Sequence, residues 1–252
     1  MNSTLDVAWL PAELAKAEVR GGSAIVVDVV RATTSITTAL ASGARRVVPA
    51  VRVDEAREVA AANGAWLCGE RGGVPPDGFD LGNSPSGFTK ERIAGRTLVF
   101  TSTNGTAAMR SALAVGPRTL RLACFRNLGS VAEAVWSEHG SEGNGGVLVV
   151  CSGRKGRVSM DDGWCAGHLV RRLLHFGPGF ELSDGAAAAR ELAVGLGAPT
   201  AAGLARMAAG RALGKLGLAE DLADCARTDD LRVVPIWRDG AFVSGGEGEE
   251  NG

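Results

Sequence analysis

Six short, largely apolar runs, at residues 24–29, 46–51, 65–68, 97–101, 119–124 and 147–151, punctuate the first 151 residues. Each is too short for a helix and lacks a polar face, so each reads as a strand buried on both sides. Residues 6–10 are expected to add another. Between them, 33–42, 53–63, 104–115 and 128–138 carry apolar positions at helical spacing. Strands alternating with helices predict a mostly parallel sheet with helices on both faces, a three-layer α/β/α fold. Beyond Cys151 the pattern turns more helical: a helix at 161–175, then 184–218 with a break near 195–199. Residues 231–237 are expected to return as an edge strand. We expect one α/β domain over 1–244, with room for a helical subdomain from about 180. Residues 245–252, Gly and Glu without apolar anchors, read as a disordered acidic tail.

Composition narrows the function classes. A chain of 252 residues can bury a sizeable core. Its net charge of −1, with Lys and Arg scattered, argues against a nucleic-acid surface. The apolar runs are strand-sized, so no membrane span is expected. The absence of a leader-like N-terminus gives a cytoplasmic expectation. Five separated cysteines without a CxxC favour reduced core thiols over a disulfide framework or zinc knuckle. A homodimer is expected from the size class alone.

The chemistry collects at predicted strand ends, where open parallel sheets bind ligands. Residues 26–34, VVDVVRATT, end a buried strand in Asp28 and Arg31. Asp28 could merely cap the next helix, but Arg31 three residues on suggests a polar pocket. Residues 69–84, GERGGVPPDGFDLGNS, form a loop too long and polar for a plain connection. Its Glu70 and Asp80, with Asp28, are hard oxygen donors suited to Mg²⁺; an Ω-loop with an internal Glu70–Arg71 pair is the plainer reading. In 101–106, TSTNGT, the Thr103–Asn104–Gly105 step between strand and helix has the makings of a phosphate cradle. It is no Walker A sequence, and alone Asn-Gly is usually a turn. Ser152 and Gly153 follow the strand at 147–151. Asp161 and Asp162 open the next helix, where acids are favoured by the dipole; Asp162 is the stronger candidate for a metal ligand or general acid. Cys165, with no partnered His168 or His175, reads as a core thiol.

With these motifs in order, the chain resembles the 2-phosphosulfolactate phosphatase family. The likeness rests on VVDVVRATTSITTALASGA (26–44), GERGG (69–73), GFDLGNSP (78–85), TSTNGT (101–106), FRNLGSVAEAV (125–135) and CSGRKGRVSMDDGWCAG (151–167). It spans about residues 6–240. The resemblance implies Mg²⁺-dependent hydrolysis of 2-phospho-3-sulfolactate to 3-sulfolactate and phosphate, on an α/β fold unlike the common phosphatases. Asp28, Arg31, Glu70, Asp80, Asn83, Asn104 and Asp162 are implied as site residues. Ser102 replaces an expected Thr, Asp161 an expected Glu, and the stretch with Arg154 and Lys155 is more basic than expected.

Taken together, these residues suggest a division of labour. Asp28, Glu70 and Asp80 would hold the metal; Asp28, Arg31 and Asp162 would carry the chemistry, Asp162 as general acid. Thr103, Asn104, Gly105, Ser152 and Gly153 would hold phosphate oxygens, with Asn83 nearby and Arg71 on the carboxylate or sulfonate. Whether Asp28 acts as nucleophile or metal ligand stays open. Two other readings remain: a phosphatase of different 2-hydroxy-acid esters, and a non-catalytic binding protein for a phosphorylated acid. The dense acids beside the cradle speak against pure anion binding.

Overall fold

A computed structural model of the chain describes residues 3–16, 21–142 and 145–245. The acidic tail expected at 245–252 thus lies, apart from Gly245, outside the described residues. Strand β1 (Ser3–Ala8) is followed by β2 (Ser23–Val27), α1 (Ala32–Ala41), β3 (Arg46–Ala50), α2 (Val53–Asn63) and β4 (Trp66–Gly69). A short helix α3 (Lys90–Ile93) leads to β5 (Thr97–Thr101), α4 (Gly105–Ala114), β6 (Thr119–Ala123) and α5 (Leu128–Glu142). Then come β7 (Val147–Cys151), α6 (Met160–His175), β8 (Phe180–Leu182), α7 (Asp184–Leu196), α8 (Ala201–Ala205), α9 (Ala208–Lys215) and α10 (Asp221–Ala226). A hairpin of β9 (Val234–Arg238) and β10 (Ala241–Gly245) follows. Every strand read from the apolar runs is present within a few residues.

The sheet has ten strands in the order β4-β5-β3-β10-β9-β6-β2-β7-β1-β8. It is mostly parallel, as expected, but in two blocks. Strands β6, β2, β7, β1 and β8 form one, and β4, β5 and β3 the other. The β9–β10 hairpin pairs antiparallel to β6 on one side and to β3 on the other. The strand expected at the sheet edge is therefore at its centre. Its partner β10 is tied to it by Asp239 (φ 47°) and Gly240 (φ 79°), the paired left-handed residues of a tight hairpin turn.

Because the hairpin is antiparallel on both flanks, the two blocks run in opposite senses. Twist brings their carboxyl ends back together. From β2 to β5 there are five inter-strand steps, and at roughly 20–25° each these accumulate to roughly 100–125°. The sheet wraps α1 and α4, which share one buried cluster with both blocks. Val26, Leu122, Leu148 and Val150 come from one side, and Val47, Cys68, Leu98 and Phe100 from the other. Alternate residues Ile25, Val27, Val149 and Cys151 face outward beneath α5, α6 and α7. Val99 and Ala50 pack under α2 on the outer face of the smaller block. The three layers follow from this period-two alternation. Among the described residues no helix is long and apolar enough to cross a membrane.

Candidate active site

The wrapped sheet places the N-termini of α1 and α4 against each other. A Cβ on Gly105, the first residue of α4, would lie 2.7 Å from the Ala32 Cβ and 2.6 Å from Asp28 Oδ2. Only glycine allows that approach. Two helix starts thus converge beside one carboxylate, and each brings positive dipole charge to it; the Thr33 and Thr106 amides are engaged locally, by the Asp28 carbonyl and the Ser102 hydroxyl. In front of them lies a cavity of about 150 Å³ whose lining includes Asp28, Arg31, Glu70, Asn83, Thr103 and Asn104. That is below the roughly 300–1,000 Å³ of pockets for drug-sized ligands, so the site suits a small molecule.

Asp28 is only 7 % exposed. Burial, then the charges of Asp161 and Glu70, push its carboxyl up to about 7. Its main chain is fixed by Thr33, whose backbone N–H and hydroxyl both donate to the Asp28 carbonyl at 2.9 Å. Glu70 organises two loops. Its carboxylate accepts from the Thr103 amide (2.6 Å), the Thr103 hydroxyl (3.0 Å) and the Gly73 amide (2.7 Å). Asn83 is buried, its carbonyl accepts from the Ser35 hydroxyl at 2.8 Å, and its Oδ1 has no hydrogen-bond partner. A buried acceptor without a donor is costly to a fold, and Asn83 is one of the residues around the cavity, with Asp28 and Glu70.

Arg31 is held from behind. Its guanidinium donates to Asp221 Oδ2 (2.5 Å), the Ser84 hydroxyl (3.2 Å) and the Gly73 carbonyl (2.7 Å). Asp221, on α10, also accepts from the Ser84 hydroxyl at 2.9 Å. Neither Asp221 nor α9 was singled out from the sequence. The α9 residues Ala209, Ala212 and Leu213, with Leu216 just beyond, form the cavity's apolar wall. Short Ala- and Gly-rich helices carry little signal of which site they will cover. Asp221 stands in an ordinary helix-start context.

Six sequence candidates do not line the cavity, Gly105 among them because it packs against Asp28 and Ala32. Asp80 turns outward, and its Oδ2 accepts the Leu67 amide at 2.8 Å along the β4 edge, so the expected Asp28–Glu70–Asp80 metal site does not assemble. Arg71 is spent on the Glu70 carbonyl (2.7 Å), the Thr101 hydroxyl (2.6 Å) and the Val51 carbonyl. It braces the ends of β3, β4 and β5. The Ser152 amide donates to the Val27 carbonyl and the Gly153 amide to Asp162, leaving neither for a ligand. Asp162 is 1 % exposed. It accepts from the Val29 amide, the Gly153 amide and the Ser152 hydroxyl, each at 3.0 Å. That arrangement ties the β2–α1 turn to the β7–α6 turn. Burial, then the charges of Asp161 and Asp28, hold its carboxyl well above the usual range. Asp161 is likewise buried, and its Oδ1 accepts the Ser159 hydroxyl at 2.5 Å. Cys165 lies fully buried in the core, its thiol pushed up by burial.

Among the described residues no group of three or more His, Cys, Asp or Glu is placed to hold a metal. Asp28, Glu70 and Asn83 nonetheless line one cavity, and the buried Asn83 Oδ1 has no protein donor. Two carboxylates and an amide oxygen are the hard donors Mg²⁺ takes while keeping several waters. The residues present fit that ion, with Asn83 where Asp80 was expected.

Helix starts, a buried arginine and acidic oxygens around a small cavity define a site for a phosphate ester and its hydrolysis. The comparisons agree. The chain belongs to the 2-phosphosulpholactate phosphatase family, whose sequence model matches residues 9–240. It is 36% identical over 241 residues to a probable 2-phosphosulfolactate phosphatase of Pseudothermotoga lettingae, covering 95% of this chain and 98% of that protein. A protein of the same designation from Carboxydothermus hydrogenoformans is 38% identical over 232 residues, 92% of each chain. Another, from Deinococcus radiodurans, is 37% identical over 224 residues, 88% of this chain and 90% of that one.

Proposed function

We propose that the protein hydrolyses 2-phospho-3-sulfolactate to 3-sulfolactate and phosphate with the help of Mg²⁺. The observation that carries this reading is the meeting of the α1 and α4 N-termini at Asp28, across the Gly105 contact. A phosphate monoester resists attack because its own charge repels the nucleophile, so the site must neutralise that charge before anything else. The positive dipole ends of α1 and α4 would face the non-bridging oxygens and offset their charge. Arg31 would add a guanidinium whose orientation is already set by Asp221 and Gly73. Asp28, Asn83 and Glu70 would hold Mg²⁺, which when bound acts as a Lewis acid on the phosphoryl group. Leu213, Leu216, Ala209 and Ala212 would keep bulk water from the opposite side. Asp162 is a positioning residue in this scheme. It fixes the main chain around Val29, next to Asp28, without touching substrate.

The test is phosphate release from 2-phospho-3-sulfolactate and from 2-phospholactate, each with Mg²⁺ and with EDTA. Release that needs Mg²⁺ and favours the sulfonated ester is expected. Equal rates on the two esters would remove the specific substrate, and undiminished release in EDTA would remove the metal. No release from either would refute the phosphatase reading.

A further inference from the structure

The phosphate-binding elements leave two cations in the cavity wall without a hydrogen-bonded partner. Arg154 and Lys155 sit on a tight turn after β7 and both line the cavity. The Arg154 and Arg157 main chains close the turn with reciprocal hydrogen bonds of 2.7 and 3.0 Å. The Lys155 amide donates to Asn104 Oδ1 at 3.2 Å, which docks the turn onto the start of α4. The cations are therefore held in fixed relation to the phosphate cradle. Arg31 and Arg71 are both engaged by protein oxygens. Among the described residues, neither the Arg154 nor the Lys155 side chain makes a hydrogen bond or ion pair, though the Arg154 charge acts on the buried Asp161 carboxyl, opposing the rise that burial causes there.

The backbone adds an independent sign. Lys155 has φ 52°, in the left-handed region where glycine or asparagine is the cheaper residue. A lysine kept there, at the cavity rim and without a protein partner, points to a role for its charge.

We propose that Arg154 and Lys155 form the subsite for a second anionic group of the substrate, its sulfonate, and thereby set the specificity of the site. This rests on the phosphatase reading above. A sulfonate stays ionised throughout the working pH range and offers three oxygens in a pyramid. A half-buried guanidinium and a neighbouring ammonium can engage such a group from two directions. An ester lacking this group leaves both cations unmatched.

The test compares the wild type with an Arg154→Gln/Lys155→Asn variant. Asparagine suits the positive φ at 155, so the variant is expected to melt no lower than the wild type. The wild-type preference for 2-phospho-3-sulfolactate over 2-phospholactate, as a ratio of kcat/KM values, should fall roughly 10–100-fold. An unchanged ratio overturns the proposal. Calorimetric titration with 3-sulfolactate reads the subsite without turnover. The variant should bind more weakly by a similar factor, and equal binding by both proteins overturns the proposal, as does no binding by the wild type. If the wild type releases phosphate from neither ester, the phosphatase reading fails and the titration alone decides the subsite.

Discussion

The Arg31–Asp221 pair gives the sharpest quantitative test of how the cavity is held. Both side chains are 2 % exposed. Replacing Asp221 with Asn keeps the volume but removes the charge, leaving the guanidinium with the neutral Ser84 and Gly73 oxygens. Removing one partner of a buried pair costs about 3–5 kcal/mol. Unfolding entropy near 2.1 cal/mol/K per residue gives roughly 0.5 kcal/mol/K for a chain this long. The melting temperature of Asp221→Asn should therefore fall by about 6–9 °C in calorimetry. Arg31 would also lose its fixed direction, and kcat/KM should drop about 10–100-fold. A double variant, Arg31→Met with Asp221→Leu, removes both charges and should regain most of the stability while remaining inactive. A melting temperature for Asp221→Asn within about 1 °C of the wild type would refute the account of a charge buried with a single counter-ion.

Other substitutions test neighbouring steps. Gly105→Ala normally favours a helix, but here its Cβ would press on Asp28 and Ala32; we expect about 1–3 kcal/mol of destabilisation by chemical denaturation and a severe loss of turnover. Asp80→Asn should leave kcat and the Mg²⁺ dependence within about twofold of wild type, whereas Asp28→Asn abolishes turnover without unfolding the chain. His168 pairs with the Gly197 carbonyl at 2.9 Å, and burial lowers its pKa. Protons therefore bind the unfolded chain more tightly, and the stability contributed by neutral His168 is lost as pH falls through about 6.5. His168→Gln should weaken that acid-side decline in melting temperature, and an unchanged slope between neutral and mildly acidic pH would contradict it.

How much of this could be read from residues alone differs between the fold and the site. Strands β2, β5, β6 and β7 are buried along nearly their whole length, so their apolar runs announce them within a residue or two, and half-buried β3 is as legible. Strand β8 has three residues and offers no pattern. The central hairpin was legible in principle, because Asp239–Gly240 between two apolar stretches is a strong turn signal, yet period alone placed β9 at an edge. Asp28, Arg31, Glu70, Thr103 and Asn104 line the cavity because strand ends deliver them there. Asp80 and Arg71 lie in the same loop but turn away, a rotation that local sequence does not encode. The role of Asp162 depends on the Val29 amide, 133 positions earlier in the chain. The α9 wall and Asp221 also come from folding at long range.

The position of the β9–β10 hairpin also sets an order of events in the cell. Synthesis runs from the N-terminus, so residues 234–245 leave the ribosome after every other described element. Until they do, the β4-β5-β3 block has no strand pairing with the β6-β2-β7-β1-β8 block, and loop and helix contacts at the site, such as Arg31–Gly73 and Ser35–Asn83, are what join them. The Asp28 turn belongs to one block, and Glu70 and Gly105 extend from the other. A ribosome-bound chain stopped at residue 230 would carry every residue assigned to the site but not the strands that join the two blocks into one sheet. The continuous sheet behind the site is then completed in one late step, when a short hairpin pairs with both blocks.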